Sequence, residues 1–303
     1  MIKAIPSTRR EYALPPSVGG GGTLSALHFG RVSNPLKLVF IHANGFNAQS
    51  YATILEPLGV HAVALDMRGH GFSTLPTTPD NLPNWHVFRD DLLYFCDHYV
   101  KAPVVMAGHS FGAVSLILAA KDLGPKCAGY VGFDPVIMPP LLGRLSRLKP
   151  TRNFMRKNLP IAARAGRRRD VFDSAEAAFD NYHGRGVFKH MTDDVLRDYL
   201  TGGLLPHEGG VQLACAPLWE QAIFCAQGHD TFRAIKSLPE KRQIIFAGKN
   251  SPSTESVQAK VRRIVGAQNI HSDDSLDHLF PLHNPMLATD ALRAMLQRVA
   301  LST

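Results

Sequence analysis

A serine hydroxyl is a weak nucleophile at neutral pH until an imidazole takes its proton, so a chain that uses one must bring the two groups to one point. The segment Gly108-His109-Ser110-Phe111-Gly112 has the pattern for the first half of that chemistry. It follows the apolar run 103–107 (PVVMA) and precedes the helical stretch 113–123 (AVSLILAAKDL). Between a strand and a helix, a G-x-S-x-G turn lifts its serine off the backbone, which forces a strained dihedral and requires small neighbours two residues to either side. Ser110 is therefore the candidate nucleophile; without that flanking context the pattern is an unreactive Gly-Ser loop. Among fourteen histidines, His278 is selected as the base. It follows the last strand-like run, sits in the loop Asp277-His278-Leu279-Phe280-Pro281, and precedes a helix starting near Pro285. His271 and His283 are its nearby competitors.

The elements that must deliver these residues are readable as alternation. Short β-branched runs at 36–41 (LKLVFI), 61–65 (HAVAL), 103–107 and 128–133 (AGYVGF) alternate with helical spacing at 84–99 and 113–123. This βαβ rhythm predicts a mostly parallel sheet. Upstream, residues 10–14 and 23–29 form a hairpin joined by Gly19–Gly22, adding antiparallel strands at one edge. Pro139-Pro140 then opens about a hundred residues of helical spacing with no convincing strands, and the rhythm resumes with 243–247 (QIIFA), a helix over 253–265, a short strand at 269–271 and a last helix over 285–301. The expectation is an α/β core of residues 1–139 and 236–303 interrupted by a helical insertion at 140–235.

Composition narrows the classes. A chain of 303 residues, 45% hydrophobic and 19% charged, has enough apolar side chains for a large core, which excludes a disordered chain or a short stapled peptide. No apolar run approaches the length of a membrane span, and the first residues lack the apolar region of a signal peptide, so a soluble cytoplasmic protein is expected. Four cysteines with no C-x-x-C pairing predict reduced thiols and no structural zinc. The net charge of +8 is local: residues 141–170 hold ten Lys/Arg against Asp170 alone, leaving the other 273 residues at −1. With no zinc-finger spacing, aromatic RNP-like box or Gly-rich KH loop, nucleic acid is not an expected partner. The basic stretch reads as a solvated helical face, with an anionic substrate or membrane headgroups as the alternative.

Over nearly its whole length the chain resembles the α/β-hydrolase family, in its serine-nucleophile, esterase-like and lipase-like branch. Four segments carry the likeness, in the right order and each at a strand end. They are His42-Ala43-Asn44-Gly45-Phe46, similar to the family's oxyanion loop but with Ala43 where glycine is commoner; Asp66-Met67-Arg68-Gly69-His70-Gly71-Phe72-Ser73, similar to its D-x-R-G-H-G-x-S loop; the Ser110 turn; and His278 with Pro285 seven residues on. The resemblance implies a mostly parallel central sheet flanked by helices, with 140–235 as a helical lid. It also implies an oxyanion hole of two backbone N–H groups, Phe111 and, by register, Asn44, with Phe46 as the alternative second donor. Asp66 and Arg68 are read as braces between loops, and His42, His70 and His109 as scaffold. The acid is the departure from the family pattern. The common position after the strand at 243–247 holds no carboxylate before Glu255, whereas some members place the acid one strand earlier, where this chain has Asp134. The alternatives are a dyad with Asn250 orienting the imidazole, or an Asp134 that only turns the chain into Pro135.

Serine at the turn, in place of aspartate, argues against haloalkane dehalogenases and epoxide hydrolases, which need a carboxylate nucleophile. What the resemblance implies is hydrolysis of a small to medium carboxylic ester through an acyl-enzyme, with Ser110, Asp134 and His278 as catalytic residues, a small-molecule ester-like substrate, and no metal or organic cofactor. Members that cleave C–C bonds, open lactones or act as cofactor-free haloperoxidases share this machinery. A non-catalytic ligand-binding homologue is the other class, favoured by Ala43 and the empty acid position. The segment 209–220 is similar to one that esterase-like members carry near the end of the lid. Its Trp219, with Phe224, either lines an acyl pocket or packs the lid onto the core.

Overall fold

The computed structural model describes residues 7–248 and 250–301. β1 (Thr8–Leu14) and β2 (Gly22–Phe29) form the antiparallel hairpin read from the sequence. β3 (Leu36–Ile41), the short α1 (Ala52–Leu55), β4 (His61–Asp66), α2 (His86–Tyr99), β5 (Val104–His109), α3 (Phe111–Leu123) and β6 (Cys127–Phe133) follow. After residues 140–235, β10 (Arg242–Phe246), α11 (Glu255–Val265), β11 (Ile270–Ser272), α12 (Phe280–His283) and α13 (Pro285–Ala300) follow. The eight strands lie in the order β1-β2-β4-β3-β5-β6-β10-β11, parallel from β4 onward.

Every residue of β4 and β5 is buried, because a parallel strand is covered on both faces. Alternate side chains serve opposite layers. Val39 and Ile41 join the cluster under α2, α3 and α11, while Leu38 and Phe40 join that under α1 and α13. All four cysteines are buried and free. Among the described residues no helix is long and apolar enough to cross a membrane.

Residues 140–235 hold helices α4 (Pro140–Leu145), α5 (Lys149–Asn158), α6 (Pro160–Ala165), α7 (Ala175–Tyr182), α8 (Asp193–Gly203), α9 (Pro217–Cys225) and α10 (Thr231–Ala234). They also hold a second sheet, β7-β9-β8, which the sequence reading did not anticipate. Its strands, β7 (Val171–Phe172), β8 (Leu204–His207) and β9 (Gly210–Leu213), span two to four residues. So short a run completes too few alternations to register as a period of two.

The loops after β3 and β4 are locked together by buried polar groups. Met67 N–H donates to His42 Nε2 at 2.9 Å, which leaves the ring proton on Nδ1 to donate to Ala43 O at 2.7 Å. By the same logic Gly45 N–H donates to His70 Nε2 at 3.1 Å, and His70 Nδ1–H donates to Arg68 O at 3.0 Å. Asp66 accepts from Ala48 N–H at 2.8 Å, Phe72 N–H at 3.1 Å and Arg9 Nη1 at 2.5 Å. Arg68 forks onto both carboxylate oxygens of Asp91, at 2.9 and 2.6 Å. Asp66 and Arg68 thus brace loops, each through a partner other than its neighbour in the motif.

Two outcomes follow from these braces. Arg68→Met strands the Asp91 carboxylate in the core and is expected to lower the unfolding free energy by about 3 kcal/mol, read from urea denaturation; an unchanged midpoint would refute the brace. Burial pushes His42 down to about 4 and His70, with His42 beside it, down to about 3, both from 6.5. The folded protein therefore binds fewer protons than the unfolded chain, so stability is complete above pH 6.5 and drains away as the pH falls toward these values. Between pH 7 and 5 the loss is about 2 kcal/mol for each ring. His70→Gln keeps a donor and an acceptor but cannot titrate, so its urea midpoint should depend less steeply on pH; equal slopes for both proteins would remove His70 from the account.

Candidate active site

β5 runs through His109 and α3 starts at Phe111, so one residue alone, Ser110, makes the turn between them. It does so at φ 57° and ψ −117°, a region that L-residues rarely occupy. Its N–H still reaches Phe133 O on β6 at 2.8 Å, so the sheet holds the strained residue in place. The flanking glycines are there for space. A Cβ on Gly108 would meet Ala113 N at 2.7 Å, and one on Gly112 would meet Ile41 O at 2.3 Å. The helix can start against the sheet only because both positions lack that atom.

Asp134 is the one other non-glycine residue with positive φ among the described residues, at 39°, and it also follows a central strand. Its N–H continues the ladder to Ile245 O at 2.7 Å, while its side chain is fully buried. Three donors converge on that carboxylate: Ala247 N–H at 3.2 Å and Ser251 Oγ–H at 2.5 Å on Oδ1, and His278 Nδ1–H at 2.6 Å on Oδ2. With its Nδ1 proton engaged, the imidazole presents Nε2 as an acceptor, and Ser110 Oγ lies 2.9 Å from it. Ser110, His278 and Asp134 are thus brought together. Asn250, in contrast, points to Leu276 O at 3.5 Å, and Glu255 begins α11 as an exposed residue. His283 pairs with Asp277 at 2.9 Å, and His271 lies exposed on the edge strand β11.

The loop Ala43–Phe46 follows β3, the strand that pairs with β5 and abuts Gly112 at the start of α3. Ala43 N–H donates to Tyr51 Oη at 3.1 Å, Gly45 N–H to His70, and Phe46 N–H back to Ala43 O at 3.1 Å. The Asn44 N–H has no hydrogen-bond partner among the described residues, and neither does that of Phe111 at the first position of α3. Phe46, the alternative donor, is therefore occupied. The Asn44 side chain is used structurally: Nδ2–H donates to Glu220 O at 3.0 Å.

Two sets of positioning contacts have no signature in the sequence, although His109, in the first, is read there as scaffold. Tyr51 accepts from Ala43 and so donates its own proton to His109 Nδ1 at 2.8 Å; the opposite ring nitrogen, Nε2–H, donates to the His278 carbonyl at 2.8 Å. One relay thereby ties the loop after β3 to the backbone of the candidate base. The second set comes from residues 140–235. Arg168 pairs with Glu220 at 3.0 Å and donates to the hydroxyls of Tyr182 and Tyr199, and the Glu220 carboxylate packs against Gly45. Neither set has a short spacing that sequence could reveal. Trp219 packs rather than lining a cavity: its Nε1–H donates to Arg68 O at 2.9 Å. Among the described residues no group of three or more His, Cys, Asp or Glu is placed to hold a metal ion.

Comparison with known proteins matches this architecture. A family model described as the alpha/beta hydrolase family matches residues 38–291. No curated protein matches the chain by sequence. Among solved structures, an E-2-(acetamidomethylene)succinate hydrolase is similar with a TM-score of 0.75 at 17% identity, covering 96% of this chain and 100% of its own. The peroxisomal alpha-beta-hydrolase Lpx1 of Saccharomyces cerevisiae is similar with a TM-score of 0.74 at 16% identity, over 99% and 91% of the two chains. A thermophilic esterase from Thermogutta terrifontis is similar with a TM-score of 0.65 at 17% identity, over 96% and 99%. With the family model spanning most of the sequence and the sheet order just described, the chain belongs to the α/β-hydrolase family.

Proposed function

We propose that this protein is a serine hydrolase that cleaves a small to medium carboxylic ester through an acyl-enzyme, with Ser110 as nucleophile, His278 as general base and acid, and Asp134 as the carboxylate that orients it. One observation carries the reading: the unbroken chain Ser110 Oγ, His278 Nε2, His278 Nδ1, Asp134 Oδ2, at 2.9 and 2.6 Å. The non-catalytic alternative rests on Ala43 and the empty acid position, and the buried Asp134 carboxylate beside the imidazole weighs against the second of these.

In the proposed reaction Ser110 Oγ attacks the ester carbonyl carbon as its proton passes to His278 Nε2. Asp134 stabilises the imidazolium without taking the proton. The oxyanion is held by the N–H groups of Asn44 and Phe111, each of the order of 3 kcal/mol in transition-state stabilisation. The intermediate collapses with expulsion of the alcohol, which receives the proton from His278, and leaves the acyl group on Ser110. Water, deprotonated by the same nitrogen, then attacks the acyl carbonyl; the second intermediate collapses by breaking its bond to Ser110 Oγ, which takes the proton back from His278 as the carboxylic acid is released. Residues 140–235 act in this scheme as the lid that shapes the acyl site, since Glu220 and Trp219 of the insertion touch the loops carrying Asn44 and Arg68.

A fluorophosphonate should label the wild-type protein and not Ser110→Ala; a folded wild type that resists labelling would sink the hydrolase reading. On p-nitrophenyl esters of graded acyl length, Asp134→Asn is expected to lower kcat by roughly 10⁴-fold, the effect of supplying the wrong partner to the imidazole. Glu255→Gln should leave it within about twofold. Equal losses in the two variants would overturn the assignment of the acid.

A further inference from the structure

A second site lies at the seam between the insertion and the core. A cavity of 510 Å³ is lined there by Arg144, Arg147 and Arg233 of residues 140–235, Lys236 just after them, and Lys260 and Arg263 of α11. That volume is within the range of small-molecule sites. The one carboxylate in the lining, Asp230, is engaged as the cap of α10, accepting from Arg233 N–H at 3.0 Å. Among the described residues none of the six cations forms an ion pair. Arg147 Nε–H donates to Gly228 O at 2.7 Å, and Lys260 Nζ lies 4.0 Å from the centre of the Phe232 ring.

The buried part of the lining supplies an independent observation. Gln227 and His229 are 4% and 9% exposed, and Gln227 Oε1 and His229 Nδ1 are buried without a hydrogen-bond partner. Buried polar atoms in folded proteins are paired as a rule, so two orphans in one cavity indicate a polar occupant. Burial, with His86 and Arg147 nearby, pushes His229 down to about 3, so its ring is a neutral hydrogen-bonding group. Apolar lining comes from Met138, Phe232 and Ile264.

We propose that this cavity binds a soluble small organic molecule bearing one or more phosphate groups. The exposed cations take the phosphates and the buried Gln227 and His229 take polar atoms of the deeper moiety. Six unpaired cations exceed what a single carboxylate needs, whereas guanidinium forks and ammonium groups together suit the several oxygens of phosphates. The cavity is lined by none of Ser110, Asp134 and His278. Between it and Phe111 of the Ser110 turn stand aromatic rings, with His229 tilted by 31° against Trp85 at 4.6 Å and Trp85 edge-on to Phe111 at 5.1 Å.

The test is isothermal titration of the full chain with inorganic pyrophosphate at low ionic strength, alongside Lys260→Gln/Arg263→Gln and the distant surface control Arg31→Gln/Lys37→Gln. The wild type should bind, the cavity variant should lose at least about tenfold in affinity, and the control should match the wild type. All three should keep their far-UV circular dichroism and their labelling by fluorophosphonate, which is read separately from pyrophosphate binding. His229→Phe, which removes a hydrogen-bonding atom but no charge, should leave pyrophosphate binding within about twofold, with the charge term coming from the cations. No binding by the wild type overturns the proposal, as do equal losses in cavity and control variants. Binding confined to phosphatidic acid vesicles, with none to pyrophosphate, also overturns it and assigns the cations to a membrane surface.

Discussion

The candidate site depends on one contact, between His278 Nδ1 and Asp134 Oδ2 at 2.6 Å. An imidazole on a loop has two free torsions and would sample many orientations; a buried carboxylate that accepts its Nδ1 proton leaves one. That constraint works only if the carboxylate itself cannot move, and Ala247 N–H and Ser251 Oγ–H fix its other oxygen. The backbone of His278 is fixed in turn by the proton that His109 donates to its carbonyl. Ring and main chain are therefore held from two neighbouring strand ends, β5 and β6, and the geometry of the site is the register of the sheet seen from its edge.

That register also explains where strain resides. Ser110 and Asp134, with positive φ, both stand at the first position past a central parallel strand. Each keeps its N–H in the ladder, to Phe133 O and Ile245 O, while the chain turns sharply beyond it. Such conformations cost about 1–3 kcal/mol apiece and persist where surrounding contacts over-determine them. Here the ladder bonds and close packing around Gly112 supply that determination. The strain falls on the two side chains that must leave their strands to meet one ring.

Much of this was legible because its causes are local. The strands at the centre of the sheet announced themselves as β-branched runs. Ser110 did so through the glycines that steric contact requires, and His278 through its place between the last strand and a helix beginning at Pro285. Asp134 needed the analogy with the family, since an aspartate before proline is also an ordinary turn. What could not be read were contacts between residues far apart in sequence with no periodicity to betray them: Tyr51 with His109, His109 with the His278 carbonyl, Arg168 with Glu220. The boundary of α3 was misplaced by two residues for a related reason. A strand and a helix joined by one strained residue leave no loop to be seen.

The basic stretch shows why a sum of charges is a poor guide to function. Its ten cations do different work according to burial. Arg152 donates to the carbonyls of Ser146 and Arg147, and Arg156 ties α5 to Pro79 and Asp80. Arg168 is drawn inside against three aromatic rings and Glu220, whose carboxylate packs on Gly45 beside Asn44. A partly buried ion pair of this kind is a weak source of stability, because desolvation offsets most of its Coulombic gain. Its directional bonds nevertheless admit few arrangements, and they hold in place the Glu220 whose carbonyl accepts from Asn44 Nδ2–H. Position, rather than affinity, is what that pair contributes, and among the described residues the backbone N–H of Asn44 has no partner while those of Ala43, Gly45 and Phe46 beside it are engaged.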